Sequence, residues 1–83
     1  MKQEFSLDTP ANYQIIVQGY LEKHWSDWFE GMDILPKVNQ EDMRFTTLTG
    51  SIIDQAALHG VLRKLYDLGM PLLSVICIDQ KQE

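Results

Sequence analysis

The sequence predicts an α+β domain: a ferredoxin-like βαββαβ sandwich whose antiparallel sheet runs in the order 4-1-3-2. Three observations carry this. Residues 13–22 alternate with the period of a half-buried strand, and residues 54–69 form an amphipathic helix with both ends marked. Pro36 lies in a second strand and cannot donate to a ladder on both sides, so that strand belongs at a sheet edge.

Residues 1–11 lack periodicity and read as a flexible N-terminal arm, residues 12–79 as one domain and residues 80–83 as a tail. In the first strand Tyr13, Ile15, Val17, Gly19 and Leu21 fall on one side, with Gln14, Ile16, Gln18, Tyr20 and Glu22 on the other. Trp25, Trp28 and Phe29 follow at i, i+3 and i+4, one face of a short helix that Gly31 ends. Met32 to Val38 is the edge strand, Asn39 to Asp42 a polar turn, and Met43 to Ile53 a third strand paired with it as a hairpin.

Asp54 stands where a helix N-cap should, and Leu58, Val61, Leu62, Leu65 and Leu68 make an apolar stripe before Gly69 and Pro71 stop it. Gly60 inside that helix implies a close approach to the sheet. Leu72 to Ile78 is a last strand, apolar on nearly both faces. A right-handed crossover through the long helix, with the first strand fitted in between, produces the order 4-1-3-2. The first crossover is short, about nine residues against the usual dozen. If its helix is a loop, a ββαβ unit remains.

The chain has 83 residues, 45% of them hydrophobic and 23% charged, with a net charge of −5. Folding at this size hides only about 60% of the extended chain's surface, so a monomer is marginal without a further source of stability. One cysteine, Cys77, cannot form an internal bridge, and within its apolar run it reads as a small core residue in a reducing compartment. The N-terminal residues carry acids and a proline rather than a signal-peptide core, and no stretch approaches the ~20 apolar residues of a membrane span. A soluble, cytoplasmic protein is expected. Between Glu22 and Asp42 six acids face two lysines, so this segment holds −4 of the charge. That balance opposes nucleic acid, whose phosphates need a basic footprint.

Trp25, Trp28 and Phe29, together with the run from Asp54 to Leu62 (DQAALHGVL), Asp67-Leu68-Gly69 and Leu72 to Val75, resemble a group of short uncharacterised bacterial proteins. The resemblance spans roughly residues 13 to 78. It implies a compact bacterial domain and supplies no catalytic residue.

Several constellations invite a chemical reading. Trp25, Trp28, Phe29 and His59 are candidates for a ligand or partner surface, the aromatics serving alternatively as core contacts for a short helix. His24, His59, Cys77, Asp27 and Asp79 contain no paired donor motif, so no metal or other cofactor is expected. Ser26, Ser51 and Ser74 sit in no nucleophile elbow, and the glycines are too scattered for a phosphate loop. Asp27, Glu30 and Asp33 read as a solvated acidic segment.

With Ile15, Val17, Leu48 and Ile52 turned to the helices, the opposite face presents Ile16, Tyr20, Phe45, Thr47, Thr49, Ile76 and Ile78. A second copy packed on that face would cover it, which makes a homodimer the expected assembly, with Ile16, Tyr20, Phe45, Thr47, Ile76 and Ile78 in its interface. The function expected is a small non-enzymatic interaction or regulatory domain. The rival is a small dimeric enzyme or ligand-binding protein that uses a histidine and acids near the tryptophans.

Overall fold

A computed structural model describes residues 6–80 of the chain. Four strands, β1 (Ala11–Gln18), β2 (Asp33–Val38), β3 (Arg44–Ile52) and β4 (Leu72–Gln80), form one antiparallel sheet in the order β2-β3-β1-β4. Read from its other edge this is 4-1-3-2. The only α-helix among the described residues, α1 (Gln55–Asp67), lies between β3 and β4, and a 3-10 helix (Lys23–Phe29) lies between β1 and β2. Parts of the predicted arm and tail, residues 1–5 and 81–83, lie outside the described residues.

Alternation in β1 buries Ala11, Tyr13, Ile15 and Val17 on one face, where they meet Leu48 and Ile52 of β3 and Ile34 of β2. Leu58, Val61 and Leu65 of α1 close the core from above. Asp54 caps the helix by accepting the Ala57 N–H at 2.8 Å, and Gly69 turns the chain out of it with a φ of +77°. β2 occupies an edge, as Pro36 demands. The Asn39 side chain closes the β2–β3 hairpin by accepting the Glu41 and Met43 N–H groups.

Four expectations need correction. The first strand ends at Gln18 rather than Glu22, because Gly19 turns away with a φ of +113°. The crossover to β2 therefore gains residues.

The segment Lys23–Phe29 forms a 3-10 helix, not an α-helix: its residues are indifferent helix formers and Glu22 supplies no side-chain cap. Cys77 is exposed on the edge strand β4 rather than enclosed as a small core residue.

Gly60 makes no close approach either, for a Cβ built there meets nothing within 4 Å. Gly60→Ala should therefore stabilise the protein by about 0.5–1 kcal/mol, visible as a higher urea midpoint with an unchanged slope.

Candidate functional site

The 3-10 geometry turns the aromatic cluster partly inward. With three residues per turn, Trp25 and Trp28 stand on one edge with ring centroids 5.1 Å apart and planes tilted by 39°, while Phe29 turns into the core and meets the Trp28 ring edge-on at 5.5 Å. Phe29 is fully buried and so closed to any partner, which corrects its assignment to a binding surface. Trp25 is half-buried against the core and Trp28 is 45% exposed, its ring under the Lys64 ammonium at 5.4 Å. Lys64 also donates to the Trp28 carbonyl at 2.7 Å, tying the 3-10 helix to α1. Inside the turn the Ser26 hydroxyl donates to the Met32 carbonyl at 2.6 Å.

A cleft of about 640 Å³ opens beside Trp25, where β1 ends. Its walls are the Gly19–Glu22 loop, Arg44 at the start of β3, and Leu68 to Pro71 between α1 and β4. Arg44 lies over the Tyr20 ring at 5.8 Å. Tyr20 is thus a cleft residue beyond the strand end, not part of the outer sheet face where the sequence pattern puts it.

A fully buried Thr46 shapes this loop, for its hydroxyl accepts the Leu21 N–H at 3.0 Å and donates to the Gly19 carbonyl at 2.8 Å. Gly19 suits this turn because its φ of +113° is one that L side chains rarely adopt; a Cβ there would also press on the Met70 methyl at 3.0 Å, which that flexible side chain can relieve. Sequence reasoning missed Arg44, Met70 and Thr46. An isolated arginine at a strand start and a threonine amid threonines carry no pattern of their own.

The remaining candidates stand apart. His59 is exposed on α1, with no hydrogen-bond partner among the described residues, and His24 pairs with Glu22 at 3.2 Å on the surface. No group of three His, Cys, Asp or Glu comes together among the described residues. The Tyr13 phenol is pushed above its ordinary pKa by burial first and by the neighbouring Cys77 second, with the Gln55 amide, donating at 2.6 Å, pulling the other way.

The sheet's two outer surfaces differ from expectation. Ile16 and Phe45 are half-buried between Gln14, Gln18, Thr47 and Thr49, so the outer face is mixed rather than one apolar patch. The apolar exposure gathers on β4. Leu72, Leu73 and Ile76 are 52%, 57% and 48% exposed, and Val75 and Ile78 are exposed beside them.

A family model, a domain of unknown function (DUF8691), matches residues 12–76. The chain belongs to the DUF8691 family. The DUF8691 match runs from β1 into β4 and includes both the cleft and the start of the apolar edge. No curated protein and no solved structure matches the chain. No helix among the described residues is long and apolar enough to cross a membrane.

Proposed function

We propose that this protein is a small non-enzymatic interaction domain, a ferredoxin-like sandwich with a reduced first helix, that pairs with a second copy of itself along β4. One observation supports this above all: β4 is a nine-residue edge strand whose apolar side chains are exposed on both sides of the sheet. Such an edge offers unpaired N–H and C=O groups to another strand, and natural proteins normally blunt it with charge or proline. The opposite edge is blunted in that way, because β2 carries Pro36, Asp33 and Lys37. From Leu72 to Ile78, β4 carries no charge.

This asymmetry favours a second copy over an open-ended fibre. With one edge blocked, assembly through the other closes at two subunits related by a two-fold axis. The β1–β4 register shifts by one residue between Asn12 and Tyr13 and again between Ile16 and Val17, which leaves Ser74 to Cys77 as the regular stretch about which two antiparallel β4 strands would centre. Ile76 of β4 and Ile16 of the adjoining β1, both on the outer face, would then lie nearest the seam. A dimer also supplies the burial that a chain of 83 residues lacks alone.

Light scattering at micromolar concentration should report twice the chain's 9.6 kDa mass. Ile76→Lys, at an exposed position that spares the core, should give a folded monomer with a lower melting temperature. Val75→Lys, on the helix side of β4, distinguishes the geometry: dissociation by Ile76→Lys and Ile16→Glu but not by Val75→Lys would point to face-to-face packing. A wild-type chain that is monomeric throughout would remove the proposal.

A further inference from the structure

We propose that the cleft at the end of β1 binds a small aromatic carboxylate, its negative charge on Arg44 and its ring against Tyr20 and Trp25. The volume, about 640 Å³, suits such a molecule. It is an open cleft whose lining is about as polar as it is apolar, with aromatic and aliphatic side chains beside one arginine and one glutamate.

Arg44 lies two residues before Thr46, so its side chain leaves β3 on the helix side of the sheet. β2 pairs Val38 with Arg44 on one side, but β1 ends its pairing at Phe45, so on the other side Arg44 meets only the loop after β1, whose Gly19 N–H its carbonyl accepts at 2.9 Å, and the guanidinium reaches over the sheet end to the Tyr20 ring. The chain has twelve acids against seven lysines and arginines, yet Arg44 forms no ion pair among the described residues. A guanidinium held by a ring face keeps its donors free, and its planar fork matches a carboxylate with two parallel hydrogen bonds.

The other walls select the rest of the molecule. Tyr20 and Trp25 supply the aromatic part of the lining, and Leu68, Met70 and Pro71 add apolar surface. A flat apolar body gains most from such walls. Glu22 stands on the same cleft, with His24 as its partner at 3.2 Å. Its carboxylate repels a second negative charge, which favours a monoanion over a phosphate monoester.

The probes are naphthoate and its neutral isostere naphthamide, titrated into the isotope-labelled full chain by NMR. Naphthoate should saturably shift the Trp25 indole N–H and the Gly19 and Gly69 amides, and naphthamide should bind at least about tenfold more weakly. Arg44→Gln should cost naphthoate about tenfold in affinity and leave naphthamide unchanged, with Arg44→Lys recovering part of the loss. Arg44 is exposed, so the variant should keep the wild-type spectrum elsewhere. If it does not fold, the two probes on the wild-type chain decide. Equal binding of acid and amide, or shifts that map outside the cleft, would overturn the assignment.

Discussion

Phe29→Ala should cost about 3–5 kcal/mol, enough to unfold much of a domain of this size at room temperature. Trp28→Ala, one residue earlier, should cost about 1 kcal/mol or less. The residues differ little in hydrophobic bulk, and the contrast comes from where a 3-10 turn points them. Phe29 is fully enclosed by the core, where the 3-10 helix meets β2. Removing its ring leaves a cavity that neighbours fixed in the sheet cannot collapse to fill. Trp28 touches Trp25, the Phe29 ring edge and the Lys64 stem, with almost half its surface in water. Urea unfolding followed by circular dichroism measures both. Equal losses at the two positions would mean that the segment packs as an ordinary α-helix with its aromatics on one face.

That contrast also shows what can be read from residue order and what cannot. Spacing at i, i+3 and i+4 marks a helix-like turn with large side chains inward, and it locates the segment correctly. It does not distinguish 3.6 residues per turn from three, and the difference turns Phe29 into the core while Trp28, still touching its ring edge, stays half in water. Strand alternation in β1 and β3, the Asp54 cap, the Gly69 stop and the edge forced by Pro36 are local consequences of sterics and hydrogen bonding, so they were legible. Alternation also placed Ile76 and Ile78 of β4 on the open outer face, but the exposure of its helix side was not legible: an apolar run reads as buried there, and only the strand order together with the area that one 13-residue helix can cover leaves Val75 and Cys77 open. The cleft was hidden for a similar reason, since Tyr20, Arg44 and Met70 meet only through the sheet register and the α1–β4 turn.

Thr46→Val should lower stability by about 2–3 kcal/mol, although the side chain keeps its shape. For a domain of this length that is a fall in melting temperature of roughly 8–20 °C. Thr46 lies in the sheet between Val17 of β1 and Pro36 of β2, fully enclosed, and its hydroxyl serves two backbone groups of the loop after β1. Valine would strand the buried Leu21 N–H with no water in reach, while the half-buried Gly19 carbonyl recovers part of its loss by hydration. Thr46→Ser retains both bonds and forfeits one buried methyl, so about 1 kcal/mol is expected. The difference between the two variants isolates the hydroxyl. Because the same loop carries Tyr20 and Glu22 into the cleft, amide exchange at Leu21 should quicken in Thr46→Val and naphthoate should bind less tightly, with Thr46→Ser near wild type in both. Were valine tolerated without loss, the loop would be held by the packing of Leu21 alone, and the hydroxyl would not be what shapes the cleft.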